Sequence, residues 1–314
     1  MSASRPGPRP ELSSRGLATS DADDLAALLV GAWNAVIELA ETVPLDRPSR
    51  LTGWTVRDVL VHLGSWEEHR SFASLLDDAR HGRVHEVDDA DARNALLVAA
   101  HHDADADDIA RALREARDRG LDFLRSPEVT SIGGDWTDST LGPLPVAGLV
   151  MASGFELAVH ALDVAEPAVL PRPLLDAGVA ALVDLAGALA ARRGLNLTVA
   201  VITPDGGWAT SCAPGSWSTV PLPGTTTARD LGWPAVEGLA ADVLDAAAGR
   251  RLAAQLLITR RLRLYDVPAL LRLSGALEEV TGLPGGSALN TAARALGQTV
   301  QLVSRLGGAV RSRF

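Results

Sequence analysis

Leu25, Leu28, Leu29, Ala32, Trp33, Val36, Ile37 and Ala40 recur at intervals of three and four, the spacing of one helix face. Ser20 followed by the acidic DADD reads as the start of that helix, and Pro44 as its end. Beyond the loop PLDRPSRLTGW, the stretch TVRDVLVHLGSWEEHRSFASLLDDA predicts a second helix, with Thr55 and Asp58 placed as a capping box. Residues 88–125 give a third helical region, clearest in DDIARALREARDRGLDFL. A fourth helix spans roughly 144–166 and is closed by Pro167, Pro171 and Pro173. Four helices with one long connection predict a four-helix bundle.

The periodicity then changes. After one more helix over 174–193, β-branched residues alternate around an Asp-Gly turn in LNLTVAVITPDGGWATSCAP, which predicts a hairpin. PAVEGLAADVLDAAAGR reads as a helix and QLLITRRLRLYD as a further strand. Residues 287–306 predict a last amphipathic helix whose polar face carries only Arg294 and Arg305. The fold class is therefore α+β. The expected order is a disordered lead-in over 1–19, a helical bundle over 20–167, an α+β domain over 174–280 and a helical extension over 281–314.

Composition narrows the function. The 314 residues carry a net charge of −10 without any basic stripe, which argues against a nucleic-acid partner. All 29 basic residues are arginine, so lysine-based Schiff-base chemistry is excluded. The arginine and alanine codons also point to a GC-rich source. Cys212 stands alone, so no intrachain disulfide forms and a reducing compartment is expected. MSASRPGPRPELSSRG lacks the apolar core of a signal peptide, and no unbroken apolar run reaches the roughly 18–20 residues that span a bilayer. The expectation is a cytoplasmic protein, monomer or homodimer, with a small-molecule substrate and no membrane partner.

The chemistry concentrates in FELAVHALDVA, residues 155–165, where Glu156 and His160 share one face of an otherwise apolar helix. His62, in DVLVHLGSW, lies on or beside the apolar stripe formed by Val59, Leu63 and Trp66. Two imidazoles and a carboxylate turned into a bundle interior make a three-ligand site for a divalent metal with one position open. Asp163, one turn past His160, is placed to orient it. On residues alone a second reading stands beside this one, in which His160 is a hydrogen-bonded core histidine and Glu156 the partner of an arginine. His81, His85 and the pair His101-His102 lie in polar surroundings and read as solvated loop residues.

GWTVRDVLVHL followed by FELAVHALDVA resembles the DinB-like metalloenzymes of the mycothiol-dependent maleylpyruvate isomerase family. The resemblance implies that His62, Glu156 and His160 bind a divalent metal, commonly zinc. It also implies mycothiol as a thiol cosubstrate, expected near Trp66, and a sterol-carrier-like fold for the α+β domain. The GC-rich composition is compatible with an actinobacterial source. The expected activity is a metal- and mycothiol-dependent isomerisation or S-transfer on a small electrophilic or unsaturated substrate. Arg250, at the end of AADVLDAAAGR, is the candidate catalytic cation for an anionic substrate; its other reading is a helix C-terminal arginine favourable to the dipole. Leu162 stands where the family often has an aromatic residue, and ASGF where it has an arginine, so an altered substrate is expected. The alternatives are a non-catalytic carrier of an apolar ligand and a metal-free structural relative.

Overall fold

The computed structural model describes residues 15–66, 72–81, 90–137 and 143–277. The first fourteen residues of the lead-in, His85, and the helix expected over 287–306 with Arg294 and Arg305 lie outside them.

The helical part opens with α1 (Ala22–Thr42), whose N-cap is Asp21: its carboxylate accepts from the Asp23 and Asp24 N–H groups. Ser20 is one residue too early for that role. The short helix α2 (Val56–Leu63) begins with the expected capping box of Thr55 and Asp58. It stops at Gly64, short of the long helix expected there, and the chain resumes helix at α3 (Phe72–His81). The break is held by contacts that periodicity does not show: Ser65 N–H donates to Ala112 O, and the Trp66 indole turns back to donate to Val61 O at 2.8 Å. The third helical region is likewise two helices, α4 (Ala90–Ala100) and α5 (Ala106–Arg125), parted at His101–Asp103, with Asp105 capping the second. A single-turn helix α6 (Glu128–Ile132) and a two-residue ribbon of β1 (Trp136–Thr137) and β2 (Leu144–Pro145) lead into α7 (Val146–Val164), the helix carrying Glu156 and His160.

α8 (Arg172–Arg192) follows the proline segment and lies between the helices and the sheet. Toward α7 the approach is close because the crossing residues are small. A Cβ on Gly178 would sit 2.4 Å from the Ala158 Cβ, and one on Gly154 2.9 Å from Ala177 O. On the other side β4 presses on α8, where a Cβ on Gly187 would sit 2.2 Å from the Thr210 hydroxyl.

The sheet has five strands, β3 (Leu197–Thr203), β4 (Gly206–Ala213), β5 (Ser216–Leu222), β6 (Ala235–Gly238) and β7 (Leu262–Tyr265), in the order β5-β4-β3-β6-β7. β3, β4 and β5 form the expected antiparallel hairpin and its continuation, with Thr203 opposite Gly206 across the turn. β6 runs parallel to β3, Ala200 beside Ala235, and β7 pairs antiparallel with β6. PAVEG is thus a strand rather than the start of a helix. The helix there, α10 (Ala240–Ala247), begins only after Leu239, preceded by the short α9 (Ala228–Leu231) and followed by α11 (Ala253–Ile258) and α12 (Val267–Leu277).

The architecture is a helical N-terminal part followed by a sheet-containing C-terminal part. One apolar cluster runs through both, with Leu162 from α7, Leu174 from α8 and Leu244 from α10 each fully buried where they meet. Burying a leucine contributes about 1.5–3 kcal/mol, so this junction is a substantial share of the stability. The segment Gly16–Thr19, expected to be disordered, is a 3₁₀ turn with Leu17 buried. It is anchored by a hydrogen bond from Leu17 N–H to Asp184 Oδ1, an oxygen that also accepts from Trp217 Nε1 and the Thr219 hydroxyl.

By length and mean hydropathy alone, α1, α7 and α8 are each able to span a bilayer, contrary to the expectation from unbroken apolar runs. Their alanine- and leucine-rich windows keep that average with up to two charged residues each. In this fold 78% of the α7 window and 72% of the α8 window are buried against protein.

Candidate metal centre

α2 packs on α7 so that His62, in the last turn of the former, faces Glu156 and His160 on the latter. One ligand atom from each of the three lies within 4.8 Å of the others. His160 Nε2 is 3.4 Å from Glu156 Oε2, and the His62 and His160 rings meet edge to face with centroids 5.1 Å apart. A tetrahedral ion with bonds of about 2.0–2.1 Å separates its ligand atoms by roughly 3.3 Å, so the pair on α7 already has ligand spacing. The Trp54 ring stands against His62 on the other side, at 5.7 Å.

The orientation of His160 is fixed from behind. Its Nδ1 is 3.0 Å from Asp163 Oδ2, three residues on along the same helix, which leaves Nε2 to face Glu156 and His62. Asp163 is in turn gripped by both arms of Arg250, at 2.9 and 3.0 Å. A carboxylate–imidazole pair of this kind fixes the tautomer and raises the basicity of the free nitrogen. Arg50 reinforces the same corner. Its N–H donates to Asp163 O, and its guanidinium donates to Leu162 O and to Asp245 on α10, at 2.9, 2.9 and 2.8 Å.

Electrostatics follow from burial and charge together. His160 is nearly inaccessible, and burial alone would lower it. Hydrogen bonds and charge from Asp163 and Glu156 prevail and raise it to about 9. Burial would likewise raise Glu156 and Asp163. His160, with His62 and Arg250, holds Glu156 below the usual carboxylate range, and His160 with Arg250 does the same for Asp163. An acid–base cluster this strongly coupled, with Glu156 partly open to solvent, is the environment in which a divalent cation replaces a proton. The donor set of two imidazoles and one carboxylate, with His160 oriented by Asp163, fits such an ion.

The remaining expected residues are placed as follows. Trp66 lies beside α2 with its ring stacked on His101 at 3.9 Å, in an acid-rich cleft of about 440 Å³ that also includes Asp103, Asp108 and Arg111. His101 is therefore half-buried against an aromatic ring rather than solvated, whereas His102 is exposed. His81 is the last residue of α3 instead of a loop residue, and its ring faces Asp77 one turn back. Arg250 reaches the centre through Asp163. Arg50 carries no signal in the sequence, because it stands in a loop without periodicity and its partner Asp245 lies 195 residues away.

Two crystal structures resemble the fold. That of the mycothiol-dependent maleylpyruvate isomerase superimposes with a TM-score of 0.47 at 17% identity, over 75% of this chain and 92% of that one. That of a histidine-to-alanine mutant of such an isomerase gives 0.45 at 16%, with the same coverage. No curated protein matches the chain. Residues 26–165 match the family model of the mycothiol maleylpyruvate isomerase N-terminal domain, a span that contains His62, Glu156 and His160. By residues 26–165, then, the helical part of this chain is similar to the mycothiol maleylpyruvate isomerase N-terminal domain.

Proposed function

We propose that the protein is a thiol-dependent metalloenzyme that isomerises a small unsaturated, electrophilic substrate, with mycothiol as cosubstrate and a divalent ion, zinc, held by His62, Glu156 and His160. The observation that carries this reading is the convergence of three donor side chains from two helices, one of them oriented by a buried carboxylate that is itself held by an arginine. A divalent ion bound there supplies a Lewis-acid position at which a thiol is held as thiolate at neutral pH.

The chain's own residues do the rest. Asp163 and Arg250 keep His160 in one tautomer, and the α2 backbone sets His62 opposite it. Glu156 contributes a negative charge that offsets the ion, and the Trp54 ring walls the His62 side against water. The protein's own thiol does not serve. Cys212 is buried in β4, hydrogen-bonded to Leu197 O, and burial pushes it up from the ordinary thiol value. An external thiol is therefore needed. Added to an activated carbon–carbon double bond, it forms one C–S bond and leaves a single bond free to rotate. Its departure restores the double bond in the other geometry and returns the thiol. Maleylpyruvate is the substrate named for the family, and the departures at Leu162 and ASGF are the reason a different electrophile is proposed here.

The test combines metal analysis with thiol titration. About one zinc per chain is expected in the wild type, with loss of most metal in His62→Ala, Glu156→Ala and His160→Ala. Calorimetry is expected to show mycothiol binding only to the metal-loaded form. Full metal content in all three variants, or thiol binding indifferent to metal, removes the proposal.

A further inference from the structure

Helices α8, α9 and α10 end in turns that place a glycine in the left-handed region: Gly194 at φ 70°, Gly232 at 63° and Gly249 at 67°. α11 closes with the same pair of bonds as α8, here Arg260 N–H to Leu257 O and Arg261 N–H to Leu256 O. Yet the residue at φ 58° is Arg260. A side chain in that conformation is strained where glycine is not, so helix termination alone does not account for an arginine there.

Its surroundings supply a reason. Arg260, Arg261 and Arg263 line one cleft of about 440 Å³ between the β3–β4 turn, the loop before α9 and the end of α11. Thr203 and Thr226 also line it, the Thr203 hydroxyl donating to Gly206 O. Two carboxylates also line it, and each is already matched. Asp242, 1% exposed, takes Arg261 through both oxygens and Arg251 at 2.9 Å. Glu237 takes Arg263 at 3.1 Å and the Tyr265 hydroxyl at 3.0 Å. Asp205, beside the cleft, lies 3.9 Å from Arg172. Arg260, exposed and part of the cleft lining, makes no ion pair with any described residue.

We propose that this cleft binds a small oxyanion, a phosphate ester or a carboxylate, clamped by the Arg260 guanidinium with Arg261 and Arg263 held in position by Asp242 and Glu237. The volume suits a small metabolite, and arginine is the side chain that meets both oxyanions bidentately. None of the residues lining the cleft belongs to the metal centre, so the site stands whether or not the metal assignment holds.

The experiment titrates the full-length chain with inorganic phosphate and, separately, with malonate at constant ionic strength, following the heat of binding for wild type and Arg260→Gly. Glycine suits φ 58°, so the variant should melt at or above the wild-type temperature without anion, and weakened binding cannot then be laid to unfolding. Saturable one-site binding by the wild type, weakened at least about tenfold in Arg260→Gly, is the expected result. The tighter of the two anions identifies the chemistry. No saturable binding of either anion, or equal affinity in the variant, overturns the proposal.

Discussion

Asp184, itself buried, concentrates three hydrogen bonds on one oxygen. Burial pushes this carboxyl above its ordinary range, and the donors Thr219, Leu17 and Trp217 oppose that shift without cancelling it. The sign follows directly. With the folded pKa above the unfolded value of about 3.9, ionisation of this group costs stability that is present below that value and is lost as pH rises through the folded one. Asp184→Asn keeps an oxygen for all three donors and removes the charge. The melting temperature of the variant relative to wild type should therefore increase as pH is raised from about 4 to 8; a constant difference in thermal melts across that range contradicts the assignment. Asp184→Ala, by contrast, leaves three buried donors unmatched and should cost on the order of 3 kcal/mol or more in chemical denaturation.

Where α7 crosses α8, spacing comes from what is missing at Gly154 and Gly178. A methyl group on Gly178 overlaps the Ala158 Cβ, so Gly178→Ala must part the two helices or tilt one of them. Overpacking of this kind costs about 1–3 kcal/mol. Urea denaturation should show that loss, and unchanged stability would mean that the crossing is softer than the described contacts. Much of this helical framework is legible from residue spacing alone: the Thr55 capping box, the end of α7 before Pro167, and the shared face of Glu156 and His160 all follow from it. The parts that are not legible depend on distant partners. Gly64 ends α2 because Ser65 and Trp66 find carbonyls on α5 and α2, contacts that the local sequence does not reveal. β6 is hidden in PAVEG because four residues are too few for a period, and only pairing with β3 and β7 on either side makes them a strand. At the metal centre, the spacing of Asp163 from His160 is local and readable. The grip of Arg250 on Asp163, across 87 residues, is tertiary and is not.

At the scale of the molecule, the helices and the sheet share one apolar cluster and a polar seam in which Arg50 meets Asp245 and Arg250 meets Asp163. Unfolding should accordingly be a single cooperative transition by both circular dichroism and tryptophan fluorescence; two separated transitions would show that the seam couples the parts only weakly. The turn after α10 has a consequence of another kind. After the turn at Gly249, two adjacent arginines serve different partners, Arg250 the Asp163 that orients His160 and Arg251 the Asp242 that lines the oxyanion cleft. Gaining or losing one residue in that turn would misdirect both guanidinium groups at once. Among descendants of this chain, the stretch from Asp245 to Leu252 should therefore not change in length.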